Sequence, residues 1–210
     1  MQSGTRRLFM TSLVSMAVGT AGCGATAHPQ PTAAPSALRS PGAGLPTGGL
    51  HDFDFLAGAW TVVNHRLKNR WVGSHEWDEF PATDCATIYI GSVANVDEIH
   101  FTTKGWAGVT LRTFDIETHR WSIYWVNSKT GVLFPPVVGG FDGDRGVFYG
   151  DDTDEGIPVK ERFIWTKLGP DRAHWEQAFS RDGGRTWEVN WTNDFTRADP
   201  SMCPGGRPHP

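Results

Sequence analysis

Charged and amide side chains set inside otherwise apolar, alternating segments are where this chain could do chemistry. Arg112, Arg162, Glu176 and Asn190 each stand in such a segment, along with Trp125 and Trp165. A charge in an enclosed interior is costly unless it is paired or meets a ligand. Pointed inward, these six residues would ring a pocket with aromatic walls and a few polar anchors, a site for a small, partly apolar molecule. Arg66, Asp97, Glu98, Gln177, Glu188 and Asp194 share the setting, and any that point outward simply decorate a solvated face. Side chains alternate between the two faces of a strand, so parity limits the set. Glu176 and Gln177 face opposite ways, and Arg162 and Trp165 differ in parity unless a bulge intervenes.

Catalysis by the same groups is the alternative. Glu176 and Glu188 are candidate carboxylates for acid–base chemistry, as in a glycosidase, with Arg112 beside them in a hydrolase or isomerase. Other chemistries find little to use. No Gly-x-Ser-x-Gly nucleophile turn occurs. His65, His75, His100, His119 and His174 are scattered and form no zinc-binding spacing, so neither a metal nor a cofactor is expected. The acidic run 151–155 lacks the spacing of an EF-hand loop and reads as a solvated turn. With a formal charge of -4 on 210 residues and no basic stripe, nucleic acid is not an expected partner.

The elements that must position these groups are strands. Trp187, Val189, Trp191, Asn193 and Phe195 lie on one face of a period-two segment, and Asp182-Gly183-Gly184 joins it to a second such segment from Ala173. The same alternation recurs near 60–67, 74–80, 84–90, 95–101, 108–114, 120–127, 136–141, 146–151 and 158–167. Short connections with turn chemistry, such as Asp142-Gly143-Asp144, separate them. Some ten strands with no helical period between them predict an all-β, antiparallel up-and-down barrel, preceded by one short helical turn within 50–58. A barrel of that strand number is too wide for side chains to fill and encloses a cavity. A two-sheet sandwich would have none. Ten tryptophans suit either the core or the cavity wall.

The flanks read as an address and a tether. Arg6-Arg7 precede the apolar stretch 13–22, which predicts a signal peptide over 1–27 of the twin-arginine type. Two processing outcomes stand. Ala25-Thr26-Ala27 would release a soluble protein, whereas Thr20-Ala21-Gly22-Cys23 would lipidate Cys23 and anchor the chain to a membrane. Residues 28–50, rich in Pro, Ala and Gly, read as a flexible linker, 51–197 as the barrel, and 198–210 as a disordered tail. The chain is thus expected in the cell envelope, or free in the periplasm or outside the cell. Cys85 and Cys203 form a disulfide there or remain two free thiols, and a bridge would pin the tail to the barrel.

Phe53-Asp54-Phe55-Leu56-Ala57-Gly58-Ala59-Trp60 resembles the opening of lipocalin-like (calycin) proteins, in which Gly-x-Trp follows a short helical turn. Segments across 51–197 are similar to a bacterial lipocalin-like family of unknown function. The resemblance, which extends to the fatty-acid-binding barrels, implies a closed barrel with an internal ligand cavity and no particular activity. It also implies that Arg197 packs across Trp60, a structural cation–π contact of about 0.5–2 kcal/mol. Haem-binding members use a histidine near the last strands, and 185–197 has none. Ser180-Arg181-Asp182-Gly183-Gly184-Arg185-Thr186-Trp187 resembles the Asp-box of sialidases, a hairpin in which Asp182 closes the turn and Trp187 tucks beneath it. A single copy implies the hairpin and not the activity. The expected protein is a cell-envelope barrel that binds a small molecule with no catalysis; the alternatives are an enzyme using the same cavity and a structural envelope module with a filled core and no ligand.

Overall fold

The computed structural model describes residues 44–203. The expected signal peptide 1–27 with Cys23, most of the linker 28–50 and the tail residues 204–210 lie outside the described residues. Ten strands follow in chain order: β1 (Gly58–Leu67), β2 (Trp77–Tyr89), β3 (Ala94–Phe101), β4 (Trp106–Asp115), β5 (Arg120–Asn127), β6 (Val137–Asp142), β7 (Arg145–Asp154), β8 (Ile157–Lys167), β9 (Arg172–Ser180) and β10 (Glu188–Arg197). Each pairs antiparallel with the next, and β1 pairs with β10, so the sheet closes into an up-and-down barrel. That is the expected fold, and the sandwich is excluded. A single 3-10 turn, Asp54–Leu56, leads into β1.

Three strand limits differ from expectation, each for a physical reason. β7 runs on to Asp154, so 151–154, expected as part of a solvated turn, is strand, with Asp154 buried by its pairing with Arg70. Segments 74–80 and 84–90 belong to one strand, β2, with Pro81 inside it. β2 pairs with β1 from Trp77 to Ala86 but with β3 only from Thr83 onward. Pro81 therefore sits where one edge is unpaired, and its missing N–H breaks no ladder bond on that side. The first residues expected in β10 instead form the hairpin loop. There the Asp182 carboxylate accepts backbone N–H groups from Arg185 at 3.0 Å and Thr186 at 2.9 Å, and the Thr186 hydroxyl at 2.7 Å. These bonds, led by those from Thr186, hold Asp182 well below the usual carboxylate range. Trp187 Nε1 donates to the Gly184 carbonyl at 3.0 Å.

The end of the barrel where β1 begins is closed. Phe53, at the start of the 3-10 turn, meets Trp121 and Phe141 edge-on at 5.0 Å each. Trp60 lies beneath, fully buried, with its N–H donated to the Leu56 carbonyl at 2.7 Å. The Arg197 guanidinium rests 3.7 Å from the Trp60 ring and donates to the carbonyls of Ala57 and Phe55 at 2.7 Å each. The tail begins ordered: Pro200–Met202 forms a 3-10 turn, and Cys203 is bonded to Cys85 of β2. Barrel contacts also start before His51. Gly48 N donates to the His119 carbonyl at 2.8 Å, and Trp121 Nε1 to the Gly49 carbonyl at 3.0 Å. Gly140 allows this crossing, because a side chain there would collide with the Thr47–Gly48 backbone.

Candidate functional site

Above the closed end lies a cavity of about 360 Å³. Its walls are the inward positions of nearly every strand, and rings dominate them: Phe101, Trp106, Trp125, Phe163, Trp175 and Trp191. Trp125 lies flat against Gly108 of β4, where any Cβ would overlap the indole. That glycine therefore sets the position of one wall. The volume and the mix of rings with a few polar groups are those of small-molecule pockets.

Two polar groupings interrupt the aromatic wall. Near the closed end, Arg112 is 3 % exposed, pairs with Asp97 and donates to Asn95 Oδ1 at 2.8 Å. Its guanidinium lies 5.1 Å from the Phe53 ring and 5.5 Å from the Trp165 ring. Asp84, 3 % exposed, lines the same space. Burial, and then the nearby Asp97 carboxylate, push Asp84 well above the usual carboxylate range, and Arg112 offsets this only in part. The second grouping is Glu161 on β8, 8 % exposed, with Asp152 on β7. Burial, then the charge of Asp152, raise Glu161 to about 8. Glu161 is therefore mostly protonated at neutral pH. Arg112 Nε, Trp165 Nε1 and Asn193 Oδ1 have no hydrogen-bond partner among the described residues. No group of metal ligands converges among the described residues.

The open end carries a clamp. The loop after β1 folds Arg70 and Trp71 onto the end of β7, where Asp154 accepts Arg70 Nε at 3.1 Å and Trp71 Nε1 at 2.6 Å. Burial opposes ionisation of Asp154, yet these bonds and the Arg70 charge hold it below the usual range. Trp71 N donates to both Glu188 carboxylate oxygens, at 2.9 and 3.0 Å, and Arg181 sits 4.0 Å above the Trp71 ring.

Of the six residues expected to ring the pocket, Arg112, Trp125 and Trp165 line it. Arg162 and Glu176 do not. They share an ion pair at 3.3 Å on the outer face, where the Arg162 guanidinium lies 4.7 Å from the Trp187 ring. The reason is parity: β8 and β9 run without a bulge through this stretch, so Glu161, Phe163 and Trp165 face inward and Arg162 outward, with Trp175 and Gln177 inward and Glu176 outward. Asn190 is buried one layer behind the wall. The β10 register shifts between Val189 and Trp191, and Gln177 Nε2 donates to Asn190 Oδ1 at 2.9 Å. The carboxylates considered for catalysis, Glu176 and Glu188, are accordingly not paired across the cavity: one is outside and the other is held at the rim. Sequence reasoning missed Asp84, Asp152 and Glu161. Counting back by twos from Trp165 would have reached Glu161.

No family model and no curated protein matches the sequence.

Proposed function

We propose that this is an exported barrel that takes up one small, largely apolar molecule in its interior without transforming it. The supporting observation is the 360 Å³ space, walled by six or more rings yet edged by the carboxyls of Asp84 and Glu161 and by the Arg112–Asp97 pair. A core built only for stability would fill such a space, because protein interiors are close-packed. The Gly-x-Trp opening and its Arg197 clasp support kinship with the bacterial lipocalin-like proteins. The Cys85–Cys203 bond supports an oxidising compartment, consistent with the twin-arginine-type leader and with either release or anchoring at Cys23.

Native mass spectrometry of protein purified from its own host tests this reading. The expected spectrum carries a retained species of a few hundred daltons, lost on denaturation. A bare polypeptide mass, together with unchanged tryptophan emission on titration with the neutral probe 4-phenylbutanol, would overturn it.

A further inference from the structure

The cavity wall carries more acids than its own bases satisfy. Arg112 takes Asp97, and Arg70 takes Asp154. That leaves Asp84, Asp152 and Glu161 facing the interior, and neither Asp84 nor Glu161 has a side-chain hydrogen-bond partner among the described residues. The two remaining bases on the wall are committed to rings. Arg66 lies 4.7 Å from the Trp191 ring and Lys129 4.4 Å from the Trp106 ring. The rings of this wall therefore already hold cations on their faces, the arrangement by which aromatic pockets recognise ammonium groups.

Building on the proposed ligand-binding role, we propose that the guest is an organic monocation: a protonated amine on an apolar, ring-sized body, its ammonium set against Glu161 and Asp152. An anionic guest would set a like charge beside Asp152 and would hold Asp84 and Glu161 in their protonated forms. A neutral guest would leave Glu161 a protonated buried acid, with nothing that favours its ionisation. A cation supplies the opposite charge that this part of the wall lacks, and its body fills the space between the indoles.

The exchange of charge makes the idea measurable. Glu161 holds its proton near neutrality, because burial and then Asp152 raise it to about 8. The groups facing it are Asp152 and Asp154 from β7 and the uncharged Gln177 and Phe179 from β9. Across the space stand Asp84, Asp97 and Arg112, with Arg66, Arg70 and Lys129 lining the remainder. An arriving ammonium keeps its own proton and favours the carboxylate. Glu161 then releases one proton to the buffer as the ion pair forms.

Calorimetric titration of the full chain with 4-phenylbutylamine, 4-phenylbutanol and 4-phenylbutanoate, at pH 7 and pH 9 and in buffers of different ionisation enthalpy, tests this. A group with a pKa of about 8 is roughly one-tenth ionised at pH 7 and about nine-tenths at pH 9, so amine affinity should rise about tenfold. Proton release should accompany amine binding at pH 7, and the alcohol should show neither effect. In Glu161→Gln, whose side chain matches the neutral acid in shape, the amine should lose both its pH slope and its proton release. Circular dichroism checks that the variant folds. If the alcohol binds as well as the amine at both pH values, or the carboxylate binds best, the amine assignment falls while the cavity's binding role stands. If none of the three binds, both fall.

Discussion

The two ends of this barrel are built on opposite principles. At the closed end, the groups that fasten the plug are satisfied inside the protein: the Trp60 N–H by Leu56, and the Arg197 guanidinium by three carbonyls and the Trp60 face. A disulfide fastens the tail beside it. Toward the open end, rings line a void, carboxyls are left over, and the mouth is held by ion pairs and cation–π contacts around Trp71. One end is organised for permanence, because dispersion contacts and buried hydrogen bonds persist across salt and pH. The other is organised around charge, which responds to solvent, protons and guests. The difference teaches that permanent packing and titratable, partnerless groups have been separated along the barrel axis, and single substitutions can test that separation.

The largest effect should come from the closed end. Trp60→Ala removes a fully buried indole that meets Phe195 edge-on and lies under Arg197, and should lower unfolding free energy by about 4 kcal/mol, measured by urea titration. If the loss were below about 1 kcal/mol, the closed end would not be the stable half. Next is the disulfide. Cys85 and Cys203 lie 118 residues apart in sequence, so the bond restricts a long loop of the unfolded chain. Reduction, or the paired serine variant, should cost about 3 kcal/mol, seen as a lower thermal midpoint, and should leave amine binding in place.

The interior should then show its own pH signature. The folded-state pKa of Glu161, about 8, lies above its ordinary value of 4.5. Between those two values the folded form keeps the proton and the unfolded chain gives it up, so this residue's contribution to stability declines as pH rises through that window. A tenfold change in proton affinity corresponds to about 1.4 kcal/mol, and water entering the cavity reduces the total. Glu161→Gln should therefore match the parent below pH 5 and exceed it at pH 9 by on the order of 3 kcal/mol, read from denaturation midpoints. A parent protein with a flat stability profile from pH 5 to pH 9 would show that Glu161 is solvated.

These contrasts are unequally visible in the amino-acid sequence. The closure of the barrel follows from period-two segments with short turns. The Trp60–Arg197 clasp follows from a resemblance carried on one motif, and the hairpin at Asp182 from a local pattern of eight residues. These are short-range signals, and each is self-contained. The site is different, because its members come from many strands and each is placed by parity. Trp125 and Trp165 are legible because rings announce themselves, and Arg112 because a charge inside a strand demands explanation. Arg162 draws attention for the same reason and is the wrong neighbour: Trp165 fixes the inward register, which selects Glu161, one residue away. Asn190 is displaced by a bulge between Val189 and Trp191 that no turn residue advertises. The role of Asp84 depends on Asp97 and Arg112 on two other strands, a proximity that exists only once the sheet has closed.

The smallest effect belongs to the rim. Trp71 has a backbone φ of 67°, a left-handed conformation that bulky residues avoid, and its bonds to Asp154 and Glu188 keep it there. Trp71→Phe keeps a ring under Arg181 but removes the N–H that Asp154 accepts. Because the contact is partly exposed and Arg70 still pairs with Asp154, the loss in stability should stay under about 1 kcal/mol. Exchange of a guest is the more sensitive readout, since a clamp at the mouth retards departure more than it adds binding energy. Stopped-flow dissociation of 4-phenylbutylamine should quicken about threefold while the denaturation midpoint barely moves. If instead the midpoint falls as far as in Trp60→Ala, with no change in dissociation, the rim would be part of the stable scaffold and the division between the two ends would not hold.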